Sequence, residues 1–200
     1  MIKENLASIT LNVTSKCNYS CEYCASCDKE DLLKLEDIKK IIDDSIALKS
    51  QYLVISGGEP TLREDYKEIV DYANENGLFL VLLTNGSNIG EEDVDFIKDN
   101  LSIIRFTLDS VDEKKHDAIK GEGEYAKLFE LIKMLNENEI TVNLNIPSGP
   151  DNIDEIEDET LIIRSHGVEP KILEKARNRD LDIIDATCPF VKNAQKYAKE

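Results

Sequence analysis

The chain has 200 residues, enough for one medium domain, or one and a fraction, with a substantial buried core. With 41% hydrophobic and 32% charged residues it reads as globular, neither disordered nor membrane-spanning, because no apolar run approaches the roughly 20 residues a spanning helix needs. A formal net charge of −17 repels phosphate backbones and argues against general nucleic-acid binding. Most of that acid is bland: Glu36-Asp37, Asp43-Asp44, Glu91-Glu92-Asp93 and Asp154–Glu159 read as solvated helix faces and first turns. The opening Met1-Ile-Lys-Glu-Asn5 lacks the apolar core of a signal peptide, so the expected location is the cytoplasm.

Strands are expected at about 8–13, 52–56, 79–83, 103–109, 141–146, 161–165 and 181–186, with helices between them and therefore a mainly parallel sheet. In the first strand Ile9, Leu11 and Val13 alternate with Thr10, Asn12 and Thr14. The connection that follows, from Thr14 to Lys34, is about 20 residues long against a usual 2–6, and long loops in compact domains tend to be functional. Leu53-Val54-Ile55 is continuously apolar and runs into Ser56-Gly57-Gly58-Glu59-Pro60. Tyr66, Ile69, Val70 and Ala73 mark the second helix, Gly77 its stop, and Phe79–Leu83 the third strand, which ends at Thr84-Asn85-Gly86.

Ile104, Phe106 and Leu108 then alternate with Arg105, Thr107 and Asp109. After a fourth helix carrying Leu128, Leu131, Ile132 and Leu135, Val142 and Leu144 alternate with Asn143 and Asn145. Alternation in a parallel sheet packed by helices on its outside implies a polar inner face, which a closed or half-closed barrel supplies and a flat sheet does not. The expected fold is α/β, a partial (β/α) barrel with parallel strands over residues 1–149, with a chamber for substrate. Pro147-Ser148-Gly149-Pro150 reads as a linker to a short C-terminal α/β segment, residues 150–200, whose strands are apolar enough to extend the same sheet.

The chemistry concentrates in the first loop. Cys17, Cys21 and Cys24 are spaced C-x3-C-x2-C and can converge on one metal centre. Three thiolates leave one position of a cubane iron–sulfur cluster open, whereas zinc sites usually recruit a fourth protein ligand, often from a second Cys or His pair far down the chain. Four of the five cysteines crowd into Cys17–Cys27, which suits metal ligation in a reducing compartment and not a disulfide framework.

On these residues the segment from about Ile9 to Ile146 resembles the radical S-adenosylmethionine enzymes, in particular the subgroup that modifies peptides or builds cofactors. The resemblance implies a 4Fe–4S cluster on Cys17, Cys21 and Cys24, with S-adenosylmethionine chelating the open iron and reductively cleaved to a 5′-deoxyadenosyl radical. It implies that Tyr23 packs near the adenine and that the run Gly57, Gly58, Glu59, Pro60 binds the methionine amino group. Thr84, Asn85 and Gly86 are expected near the cofactor, and Asp109 and Ser110 near its ribose and carboxylate, with His116 structural. The family further implies an electron donor such as flavodoxin or ferredoxin, a small-molecule or peptide substrate, and no membrane partner. Cys27 is expected to be a free loop thiol.

The runs Ile163-Arg-Ser-His166-Gly-Val168 and Asp185-Ala-Thr-Cys188-Pro-Phe-Val191 resemble a different family, 4-hydroxy-3-methylbut-2-enyl diphosphate reductase. There the His contacts the substrate diphosphate and the Cys is one of three cluster ligands, positions that fall on His166 and Cys188. The reductase's other two cysteines have no counterpart, so reductase activity is not expected and the chain reads as a junction of two families near residues 147–156. The alternatives to a radical enzyme are therefore a reductase fragment and a non-catalytic, metal-binding truncated protein.

Overall fold

Every second residue of a strand points to the same face, and each of the first five strands carries apolar residues two apart that can meet a helical layer. In the computed structural model, which describes residues 7–24, 33–147, 160–163, 174, 178 and 182–185, that face is Leu11, Val13, Leu53, Ile55, Leu80, Leu82, Ile104 and Phe106, all buried. The strands are β1 (Ser8–Thr14), β2 (Tyr52–Gly57), β3 (Phe79–Thr84), β4 (Ile103–Thr107) and β5 (Val142–Asn145). All pair in parallel, in chain order, in one five-stranded sheet. The helices are α1 (Leu35–Ala47), α2 (Tyr66–Glu75), α3 (Val94–Asn100), α4 (Glu113–Lys120) and α5 (Glu124–Glu137).

Ile38 and Ile42 of α1, Ile69 and Val70 of α2, Ile97 of α3 and Leu128, Leu131 and Leu135 of α5 join the strand residues in one core. Each fully buried Leu or Ile of this kind contributes about 1.5–3 kcal/mol. Gly77, at φ +76°, ends the turn after α2, where a left-handed residue is needed.

The opposite face is polar on β1, β4 and β5, as the alternation predicts, and apolar on β2 and β3. Thr10 and Asn12 of β1 are exposed, and Arg105 and Thr107 of β4 and Asn143 and Asn145 of β5 are half-buried. Val54 and Leu83, on the two continuously apolar strands, are only half-buried.

Two expectations need correcting. The stretch after β4, for which no separate helix is expected, forms α4: Asp112 caps it by accepting from the Lys114 and Lys115 amides at 2.9 and 3.2 Å. The helix carrying Leu128 is therefore the fifth. The C-terminal strands β6 (Thr160–Ile163) and β7 (Asp182–Asp185) do not extend the main sheet. They pair in parallel with each other in a two-stranded sheet of their own, Thr160 opposite Asp182. The chain divides into two compact units, Met1–Leu108 with Asp112–Ile146, and Asp109–Val111 with Pro147–Glu200. Among the described residues no helix is long and apolar enough to cross a membrane.

Candidate functional site

Parallel strands in chain order bring the C-terminal ends of β1, β2 and β3 side by side, the edge where barrels place their chemistry. The cysteine loop leaves β1 there. Its base is hydrogen-bonded to the turn after β2: the Gly58 amide donates to the Thr14 carbonyl at 2.8 Å and the Glu59 amide to the Lys16 carbonyl at 2.7 Å. A Cβ on Gly57, at φ +148°, would lie 2.3 Å from the Thr14 oxygen, and one on Gly58 would lie 2.2 Å from the Lys16 oxygen. The chain's own backbone occupies the space that a side chain at either glycine would need.

Glu59 is fully buried and bound on both oxygens. One accepts from the Thr61 amide at 3.1 Å, the Thr61 hydroxyl at 2.7 Å and the Thr84 hydroxyl at 2.6 Å; the other accepts from the Asn85 amide at 2.6 Å. Pro60, also buried, opens the 3₁₀ turn Pro60–Leu62 that presents Thr61 to this carboxylate. Glu59 thus ties the turn after β2 to the loop after β3. Glu59→Ala removes a buried charge from four donors, an expected loss of about 3 kcal/mol or more of stability measurable by denaturant unfolding.

Beyond Thr84, the Asn85 side-chain amide donates to Asn18 at 2.9 Å and lies 4.0 Å from the Cys17 sulfur, and its oxygen accepts from the Ser87 amide and hydroxyl. Asn18 in turn donates to the Ser87 hydroxyl at 2.7 Å. Gly86, at φ +81°, turns the chain where a Cβ would meet Phe106 and Leu131 at 2.9 Å. Beside this network lies a cavity of about 420 Å³ with Asn18, Asn85, Ser87 and Lys127 on its polar side.

Among the described residues the free cysteines are Cys17, Cys21 and Cys24. Cys17 accepts from the Tyr19 amide at 3.5 Å, Cys21 from the Lys120 ammonium at 3.3 Å, and the Cys24 amide closes a turn onto the Cys21 carbonyl at 3.0 Å. Tyr23 is mostly exposed, with its hydroxyl 3.4 Å from Lys120. The Tyr19 hydroxyl donates to Glu124; burial first, then that carboxylate, pushes the phenol well above its ordinary pKa. Lys127 first and Tyr19 second hold the Glu124 carboxyl below the usual range. The α4–α5 corner carrying these groups is fixed by Asp117, which accepts from the Gly123 and Tyr125 amides at 2.7 and 2.8 Å, and by buried His116 packed edge-on to Tyr125.

Arg63, which sequence reasoning missed, closes the loop at both ends. Its guanidinium donates to the Val13 carbonyl at 2.7 Å, where the loop begins, and to the Leu33 carbonyl at 3.0 Å, where it ends, while Asp65 holds its other edge. Arg63→Lys, which keeps the charge but loses the planar fork, is expected to cost about 2 kcal/mol and to lower cluster loading, checked by denaturant unfolding and iron analysis.

Among the described residues no three His, Cys, Asp or Glu side chains gather closely enough to hold a single metal ion. A cubane takes each thiolate on a different iron, so its ligands need not meet at one point, and three cysteines in one loop suit its chemistry. Asp109 and Ser110 are buried just past β4 but fall in the second unit, so the grouping above does not contain them. Cys27, His166 and Cys188 lie outside the described residues.

A parallel α/β sheet that presents a three-thiol loop at its C-terminal edge is the framework of an iron–sulfur barrel protein. Residues 11–160 match the Radical SAM superfamily, and the chain belongs to that family, whose cofactors are a 4Fe–4S cluster and S-adenosylmethionine. It is 31% identical over 160 residues to Fe-coproporphyrin III synthase of Methanosarcina barkeri, covering 77% of this chain and 40% of that protein. It is 26% identical over 194 residues to the mycofactocin maturase MftC of Mycolicibacterium smegmatis, covering 94% and 50%. The latter likeness runs on past Pro147–Pro150, where a junction of families was expected. The crystal structure of Streptococcus suis SuiB bound to S-adenosylmethionine shares the fold, with a TM-score of 0.69 at 16% identity over 90% of this chain and 50% of that one. The chain spans about half the length of the relatives it matches.

Proposed function

We propose that this chain binds a 4Fe–4S cluster and S-adenosylmethionine at the C-terminal edge of β1–β3 and starts radical chemistry on a substrate at the polar inner face. Cys17, Cys21 and Cys24 hold the cluster and leave one iron open. Bound there, cluster and cofactor supply a one-electron reductive cleavage of the sulfonium carbon–sulfur bond. The chain's own task is placement. Asn85 and Asn18 hold Cys17, Tyr19 and Glu124 fasten the loop to α5, and the turn Gly57–Pro60 seats the loop's base. Tyr23, Gly57–Pro60, Thr84–Gly86, Asp109 and Ser110 are the proposed cofactor contacts, and Arg105, Thr107, Asn143 and Asn145 line the proposed substrate face.

The observation that carries this reading is a loop of three cysteine thiols, none in a disulfide, latched to the ends of two neighbouring strands. A peptide substrate is supported by the likeness to a maturase and to SuiB, which has been crystallised with its precursor peptide SuiA; a small molecule is supported by the likeness to the coproporphyrin synthase. The electron donor proposed is a flavodoxin or ferredoxin, as in the family. Anaerobic reconstitution with iron and sulfide, then incubation with dithionite and S-adenosylmethionine, should yield a cubane EPR signal and 5′-deoxyadenosine. Stoichiometric zinc without a cubane would sink the proposal.

For residues 150–200 the proposal is a supporting role without reductase chemistry. His166→Ala combined with Cys188→Ser should leave 5′-deoxyadenosine formation nearly unchanged. Turnover of the allylic diphosphate by the intact chain, lost in that double variant, would reverse this.

A further inference from the structure

One cation stands at the cysteine loop without any part in the proposed cleavage. Lys120 is the last residue of α4, where a positive side chain is favoured by the helix dipole. Its ammonium lies 3.3 Å from the Cys21 sulfur and 3.4 Å from the Tyr23 hydroxyl. It also lies 5.4 Å from the centre of the Tyr19 ring and 5.9 Å from that of Tyr23. Two aromatic faces and a hydroxyl from the loop therefore hold one charge against one cluster-binding sulfur. The nearby carboxylate Glu124 accepts from Tyr19 and Lys127.

We infer that Lys120 sets the reduction potential of the cluster, acting as a positioning residue through Cys21; the inference rests on the cluster assignment proposed above. Three thiolates on an oxidised cubane already give the centre a negative charge, and one added electron makes it more negative. A fixed positive charge, hydrogen-bonded to a ligand sulfur, favours the reduced form, because charge and hydrogen bonds at the sulfurs are the main protein levers on such potentials. The step is a one-electron transfer from a low-potential donor, with every thiolate staying bound and no proton leaving the lysine. In a chain of net charge −17, whose field opposes adding an electron, one cation at the sulfur offsets that field locally.

The test is EPR-monitored redox titration of anaerobically reconstituted protein, without S-adenosylmethionine, for the wild type and for Lys120→Met, Lys120→Gln and Lys120→Arg. Lys120→Met should lower the reduction equilibrium constant about tenfold, a shift of about 59 mV to more negative potential. Lys120→Gln, which keeps an N–H donor but loses the charge, should follow Met, and Lys120→Arg should stay at the wild-type value. Iron and sulfide content, measured in parallel, separates a structural role: fewer clusters at an unmoved potential in Met and Gln would overturn the inference. A wild-type protein that forms no cubane would sink the cluster assignment itself, whereas a wild-type cubane with unmoved potentials in both neutral variants sinks this inference alone.

Discussion

Replacing Cys17, Cys21 or Cys24 by Ala, one at a time, should abolish the cubane absorbance and EPR signal and all 5′-deoxyadenosine formation. Cys27→Ala and Cys188→Ala should retain both. In the proposed site one iron is reserved for the cofactor, so there is no spare protein ligand and each thiolate is indispensable. The surrounding latches do not depend on the sulfurs: Asn85 to Asn18 and Tyr19 to Glu124 persist in each variant, so the fold should melt within a few degrees of the wild type. Iron analysis and thermal unfolding together make the check. Loss of the cubane on removing Cys27 would overturn the three-ligand site in favour of a closed centre.

Gly58→Val should be nearly as severe, by a different route. Any Cβ at that position lies 2.2 Å from the Lys16 carbonyl oxygen and 2.6 Å from its carbon, and a backbone neighbour cannot rotate away as a side chain would. The cysteine loop must lift from β2, breaking the amide bonds from Gly58 to Thr14 and from Glu59 to Lys16. Overpacking costs about 1–3 kcal/mol before the lost hydrogen bonds are counted. Cluster loading and S-adenosylmethionine binding should therefore fall together, measured by iron content and calorimetry. Gly77→Ala is the control: nothing lies within 4 Å of its Cβ, so its strain at φ +76° should lower the melting temperature and leave the cluster in place. A Gly58→Val protein with a full cluster and weakened cofactor affinity would instead place the glycine against the ligand.

Much of the sheet was legible because hydrophobic period is a local property. Ile104 and Phe106 alternating with Arg105 and Thr107 specify a strand with two unlike faces, and the structure has both. The cysteine spacing was legible for the same reason. What a strand pairs with is not local: the apolar runs near 161 and 183 announced strands that need partners, yet nothing in them distinguished the edge of the five-stranded sheet from each other. The groups that fasten the loop were equally silent. Arg63 lies 50 residues from Val13 and 30 from Leu33, and Lys120 lies 99 from Cys21. No spacing rule joins residues so far apart, and a lone Arg or Lys in a chain rich in charge carries no signal of its own. Glu59 was singled out as part of a motif, but its burial under four donors from three residues was not foreseeable from the motif.

The double grip of Arg63 bears on how such a protein changes over generations. Because the guanidinium holds Val13 and Leu33 by their carbonyls, it reads no side chain at either end of the loop. Substitutions and insertions between those two points leave the anchor untouched, and lengthening an already long loop is cheap, about 0.6 kcal/mol for each doubling. The sequence between the two carbonyls can thus change or lengthen, provided that Asn18, Tyr19 and the three thiols are kept, while the Arg63 grip stays as it is.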